Sequence, residues 1–253
     1  MQSLERVFEI ISVIENSETG MCSVSKLSKT TDLPPSTIHR ILRVLLKHKY
    51  VYQDRNTKKY RLGSRFVELG LQTRDSLNIR EIALPVMENL TKDTNETSYL
   101  TIQNNFYGIY IEKVETNQSL KLYEPLGDVI PLHAGASRKV ILAHMPENYV
   151  DQMHNKGLLI FRTKKTVTDS RALKKQLLEI RKKGVAITKG ENYDDAIGIA
   201  AVFKDSEGYI GGSISIAGPV SRIKGDKIEK YTILVKESAR QLSRLLGYTY
   251  KRK

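Results

Sequence analysis

Cysteine occurs once in the 253 residues, at Cys22, so no disulfide forms within the chain and a cysteine-rich metal site is excluded. Long apolar runs are missing as well. None approaches the ~20 residues that span a bilayer, and the N-terminus lacks a basic stretch followed by an apolar one, so a cytoplasmic protein without a membrane partner is expected. Catalytic signatures are equally scarce. His133, His144 and His154 are too scattered for a compact metal motif, and Pro146 interrupts any helix joining the last two. Gly208, Gly211 and Gly212 do not form the dinucleotide fingerprint, and nothing matches a phosphate loop or a nucleophile elbow. Asp194 and Asp195 are successive and face different ways. No enzyme, no cofactor and no metal are expected.

Acids are rare in one stretch above all. Between residues 20 and 65, eleven Lys and Arg stand against two acids, Asp32 and Asp54, so this fifth of the chain carries +9 of the total +13. Charge so focused is the footprint expected of phosphate contact. Its centre is the run from Pro34 to Lys47. At about 100° per residue, Ile38, Ile41, Leu42, Leu45 and Leu46 share one side of a helix, while Ser36, Arg40, Arg43 and Lys47 cluster opposite. Pro34 marks the start, because a proline at a first helical position loses only an N–H that had no partner. Upstream, Ser23 can cap a short helix over 23–30 with Val24 and Leu27 as its apolar pair. Helix, tight turn and second helix with a cationic outer face form a helix-turn-helix, whose second helix reads bases in the major groove.

Two aromatic and basic strands over 50–53 and 58–62, joined by Asp54-Arg55-Asn56-Thr57, follow as a hairpin. A basic hairpin after a recognition helix is a wing. The expected DNA contacts are Ser36, Thr37 and Arg40 to base edges, and Arg43, Lys47, Arg55, Lys58 and Lys59 to phosphates, with His39 able to do either. A helix over 3–15, with Leu4, Val7, Phe8, Ile11 and Ile14 in a stripe, is expected to pack under the recognition helix.

The remainder reads as a connecting helix over 64–75 and a second domain opening with a helix over 78–92. Strands are expected at 97–103, 107–113 and 120–123, the second with Tyr107, Ile109 and Ile111 on one face and Tyr110 and Glu112 on the other. Helices at 137–144, 147–156 and 170–183 follow, the last capped by Ser170 and stopped by Gly184. Strands at 185–188, 197–203 and 209–216 and a helix at 226–246 complete an α+β module. The expected boundaries are 1–63, 64–77 and 78–253. In Pro131 to Lys139, small residues at a helix start offer free N–H groups to an anion such as a carboxylate, although tight packing alone explains them equally well.

The run Leu33-Pro34-Pro35-Ser36-Thr37-Ile38-His39-Arg40-Ile41-Leu42, with Tyr50-Val51 and Tyr60-Arg61-Leu62-Gly63, resembles the IclR-type bacterial transcriptional regulators. The likeness extends through Asn78-Ile79-Arg80-Glu81, Glu96-Thr97, Leu132-His133-Ala134, Ile199-Ala200-Ala201, the run from Ser213 to Pro219, and Ser221-Arg222. It implies a winged helix-turn-helix joined by a linker helix to a GAF/profilin-like effector-binding domain, acting on double-stranded operator DNA. Dimers that pair into tetramers, repression rather than activation, and a small organic acid as effector are implied too. On that likeness Leu122, Ala136, Ser137, Thr188, Gly198, Ser215 and Ala217 line the effector cavity. The chain departs from the pattern in three ways: Asp32 replaces a turn glycine, Gly198 and Ile197 replace a cysteine and an arginine, and Thr188 replaces an acid. A less polar cavity should prefer a larger or less polar effector. An RNA-binding winged protein and an enzyme with an appended DNA-binding domain remain alternatives.

Overall fold

The computed structural model describes residues 2–69 and 79–249. The chain divides into two compact units, 1–77 and 78–253, described separately below.

In the first unit α1 (Gln2–Glu15), α2 (Val24–Thr31) and α3 (Pro35–Lys47) precede a hairpin of β1 (Val51–Gln53) and β2 (Tyr60–Leu62). Ser23 caps α2 by accepting the N–H of Lys26 at 3.2 Å. Asp32 ends that helix in the left-handed region, at φ 53°, a conformation a short polar side chain tolerates. Pro34 then stands just ahead of α3 as its cap, at ψ 141°, and Pro35 rather than Pro34 is the first helical residue. Ile10, Ile14, Leu27, Ile38, Leu42 and Val51 close one core. Helix α1 shares it but packs mainly on α2 and β2, not under α3 as its stripe suggested. Leu4 and Phe8 of that stripe are exposed and only Ile14 of it is fully buried, while Ile10, outside the stripe, is buried beside it. Residues 64–69 continue as helix. The rest of the expected connecting segment, 70–77, and the expected first residue of the second domain, 78, lie outside the described residues.

The second unit opens with α4 (Ile79–Thr94), followed by β3 (Thr97–Asn104), β4 (Tyr107–Val114) and β5 (Val129–Pro131). Helices α5 (Ala136–Leu142), α6 (Asn148–Asn155) and α7 (Ser170–Lys183) come next, then β6 (Ala186–Lys189), β7 (Ala196–Lys204), β8 (Ile210–Pro219) and α8 (Asp226–Leu245). The six strands pair antiparallel throughout, in the order β5-β4-β3-β8-β7-β6. Strand alternation divides β7 between two cores. Ile197, Ile199, Ala201 and Phe203 pack with α4 and α8, while Ala200 and Val202 pack with α5, α6 and α7.

Two details differ from the expectations, the strand at 120–123 and the cap of α7. Residues 120–123 form no strand: Leu120 and Leu122 give their carbonyls to Arg222 Nη1 at 2.9 Å and Tyr99 Oη at 3.1 Å instead of to a ladder. The outer strand is β5, too short for alternation to reveal. On β4 the expected alternation holds, and the face with Tyr110 and Glu112 is the more deeply buried one, both side chains having ionic or aromatic partners inside. The cap of α7 is Asp169, which accepts the N–H of Ala172 at 2.8 Å, rather than Ser170. Among the described residues, no helix is long and apolar enough to cross a membrane.

Candidate functional site

Helix α3 presents two unlike faces. Ile38, Leu42 and Leu45 are buried, whereas Ser36, His39, Arg40, Arg43, Val44 and Lys47 are exposed and Thr37 is half-buried. Among the described residues no carboxylate lies within ion-pair distance of Arg40, Arg43, Lys47, Arg55, Lys58 or Lys59, all of them exposed. A cationic surface without internal acids keeps its charge available to an outside anion.

The wing's turn is fixed from within by one side chain. Asp54 Oδ1 accepts from the N–H groups of Asn56 at 3.2 Å and Thr57 at 2.7 Å and from the Thr57 hydroxyl at 2.8 Å. Those bonds hold its carboxyl below the usual carboxylate range, Thr57 contributing most. Lys58 follows at φ 56°, and the Lys58 N–H reaches the Asp54 carbonyl at 3.0 Å. The turn thereby carries Arg55, Lys58 and Lys59 outward. Two neighbours had not been singled out from sequence: Arg61 lies 4.8 Å from the centre of the Tyr52 ring, extending the cationic surface along the hairpin. A lysine- and tyrosine-rich hairpin was the signal for both.

In the second unit a narrow cleft of about 30 Å³ lies between the sheet and the start of α5. Its floor follows from register: Thr188, Gly198 and Ala217 lie side by side across β6, β7 and β8, and Ala200, Ser215 and Tyr99 form the next row. Gly198, Ser215 and Ala217 in those rows are small and leave that space. A Cβ added to Gly198 would sit 3.2 Å from Ala136 Cβ, on the opposite wall. All seven residues expected from the resemblance, Leu122, Ala136, Ser137, Thr188, Gly198, Ser215 and Ala217, line this one cleft.

The helix start is less open to an anion than the sequence implied. Helix α5 has only seven residues, and the Gly135 N–H points at Glu191 Oε2, 3.4 Å away, so the protein's own carboxylate stands there. Glu191 is held in turn by Lys139 Nζ at 2.5 Å. Burial pushes that ammonium's pKa down, and Glu191 opposes the shift. Ser137 Oγ is engaged with Tyr110 Oη at 3.2 Å, and burial raises the Tyr110 phenol far above its ordinary range.

The cleft also holds charges not expected from sequence. Arg138 is fully buried, its guanidinium carbon 4.4 Å from the Tyr110 ring centre and Nη2 3.7 Å from Glu124 Oε2. Glu124 Oε1 accepts from Asn192 Nδ2 at 2.7 Å. The readable signal was Arg138 itself, a cation in a helix whose neighbours Ala136, Val140, Ile141 and Leu142 are all core. Among the described residues no group of three His, Cys, Asp or Glu side chains is placed to hold a metal ion.

Residues 3–55 match the IclR helix-turn-helix domain, and residues 71–244 match the C-terminal domain of bacterial IclR transcriptional regulators. The transcriptional repressor AllR of Klebsiella pneumoniae is 33% identical over 247 residues, 97% of this chain and 90% of AllR. The crystal structure of Thermotoga maritima IclR superposes with a TM-score of 0.71 at 33% identity, covering 98% of this chain and 100% of that one. An IclR homologue from Microbacterium hydrocarbonoxydans, crystallised with 4-hydroxybenzoate, shares the fold with a TM-score of 0.79 at 24% identity, covering 96% and 98% of the two chains. With both of its units matched and nearly its whole length shared with AllR, the chain belongs to the IclR family of bacterial transcriptional regulators.

Proposed function

We propose that this regulator grips operator DNA with the exposed face of α3 and the wing, and that a small organic acid in the cleft of the second unit changes that grip. The observation that carries the reading is the division of α3, with apolar residues buried and Arg40, Arg43 and Lys47 exposed without acidic partners among the described residues. Ser36, Thr37 and Arg40, near the start of the helix, read base edges, with His39 beside them. Arg43, Lys47, Arg55, Lys58 and Lys59 hold phosphates. Repression is the expected outcome, as it is for AllR. One winged unit covers one half-site, so at least two copies of the chain bind together. A cleft lined by Ser137, Thr188 and Ser215 hydroxyls beside the Arg138 guanidinium favours an anionic effector, and the Microbacterium homologue was crystallised with a hydroxylated aromatic acid. The activity needs no chemical step.

Gel-shift titrations on fragments of the native genome, with and without a broad set of organic acids, test the reading. A preferred fragment, and an acid that changes its affinity, are expected. Arg40→Ala should cost about 1–3 kcal/mol on the preferred fragment and relax its selectivity. Equal losses on preferred and random DNA would remove Arg40 from base readout.

A further inference from the structure

Val44 is out of place on α3. It is 55% exposed, on a face whose other side chains include Ser36, Arg40, Arg43 and Lys47. Packing does not account for it. Ile38, Leu42 and Leu45 belong to the core of the winged unit and Ile41 and Leu46 pack against its margin, but Val44 is in neither set. Local propensity does not account for it either, since valine is a poorer helix former than the lysine or arginine found at the neighbouring exposed positions. What valine supplies there is two methyl groups on a side chain that keeps one strongly preferred rotamer in a helix.

Position on the helix says what those methyls meet. At about 100° per residue, Thr37, Arg40 and Val44 fall within an arc of about 60°, while Arg43 lies about 100° away from Val44. Val44 therefore shares its edge of α3 with residues assigned to base edges rather than with those assigned to phosphates. A valine gains nothing from phosphate oxygens or from base donors and acceptors. The apolar group that a base pair offers in the major groove is the 5-methyl of thymine. Along the axis Val44 stands about 6 Å beyond Arg40, at about 1.5 Å per residue, and base pairs follow one another every 3.4 Å or about that. We propose that Val44 is a specificity residue that contacts the 5-methyl group of a thymine about two base pairs from the pair read by Arg40. The assignment rests on the reading that the exposed face of α3 enters the major groove, and adds which feature of the operator one residue selects.

The test starts with the full-length chain selecting duplexes from a randomised pool at fixed salt, which defines the half-site. Each thymine of one half-site is then exchanged for uracil in turn, a change that deletes the methyl and keeps every hydrogen-bonding group. One exchange, about two base pairs from the position where Arg40→Ala relaxes selection, should weaken binding about three- to fivefold, the worth of one methyl group taken out of water. Val44→Ala, at an exposed site where the fold tolerates the change, should bind the thymine and uracil duplexes alike. A half-site without a thymine in that position, or one whose uracil exchange costs the unaltered chain nothing, overturns the assignment. So does a cost that persists undiminished in Val44→Ala, which would give the methyl to another side chain such as Thr37. If Arg40→Ala relaxes selection while no uracil exchange matters, Val44 loses this role and the reading of α3 stands. If no duplex is preferred, or if neither substitution alters selection, both fall.

Discussion

At Gly63 the requirement for glycine is spatial. A Cβ there would lie 2.1 Å from the Lys49 carbonyl oxygen, and both backbones are pinned, because Gly63 N–H bonds Tyr50 O at 2.8 Å and Arg65 N–H bonds Lys49 O at 3.1 Å. Lys49 itself sits at φ 59°, so neither chain has an easy way to retreat. Gly63→Ala should destabilise the winged unit by about 3 kcal/mol, read as a lower urea midpoint for a fluorescence or circular-dichroism transition of that unit. An unchanged midpoint would mean that the close approach relaxes freely. Gly198 needs its lack of a side chain for a different reason, since a Cβ there would press on the Ala136 Cβ at 3.2 Å across the narrow space of the cleft. Gly198→Val should reduce effector affinity at least about tenfold by filling that space while leaving ligand-free operator binding as it was, checked by titration and gel shift on the same preparation.

At the scale of elements, α5 shows what sequence patterning reveals and what it leaves out. The helix over 137–144 was legible because small and apolar residues run through it, and α3 was legible because a proline start, an apolar stripe and a cationic stripe all agree. The floor of the cleft came from motif likeness, and the row of Thr188, Gly198 and Ala217 then follows from strand register. Arg138, Glu124 and Asn192 were not legible together. They come from a helix and two loops far apart in sequence, and charged residues ordinarily mark solvent-facing positions. Only the fold turns them into one site. The strand expected at 120–123 failed for a related reason, since its backbone partners are side chains of Tyr99 and Arg222.

The turn before α5 carries a pH dependence with a definite sign. His133 Nε2 donates to the Ile160 carbonyl at 2.8 Å, and its Nδ1 is buried without a partner among the described residues, so a second proton there would find no acceptor among them. Burial lowers its pKa, and Lys139 and Arg162 add to the effect. Burial lowers that of His144 too. Above about pH 6.5 both rings are neutral whether the unit is folded or not, and their contribution is fully present. As pH falls below that value the unfolded chain takes up protons that the folded unit refuses, and stability is lost. The thermal midpoint of the second unit should therefore drop between pH 7.5 and 5.5, and His133→Gln should flatten part of that drop. A midpoint that rises on acidification would contradict the sign.

For the whole molecule, the distribution of charge sets how binding responds to salt. The net +13 is concentrated in residues 20–65, so phosphate contact is an affair of the winged unit. Each phosphate neutralised releases counterions and contributes about −0.9 to the slope of log affinity against log salt. Replacing Lys58 should weaken preferred and random DNA alike and flatten the slope by about 1 per winged unit engaged.

Regulation adds a constraint that holds however the two units communicate. If an effector changes operator affinity by some factor, operator DNA must change effector affinity by the same factor, because both are one coupling free energy, typically about 1–3 kcal/mol. A repressor released by its effector must then bind that effector more weakly when saturated with operator, by about 5- to 150-fold. The check is two titrations on one preparation: operator binding with and without saturating effector, and effector binding with and without saturating operator duplex. Matching factors would place the cleft and the cationic face of α3 at opposite ends of one equilibrium. A change in operator affinity without the reciprocal change in effector affinity would mean that the compound acts on the DNA complex by some route other than binding this cleft.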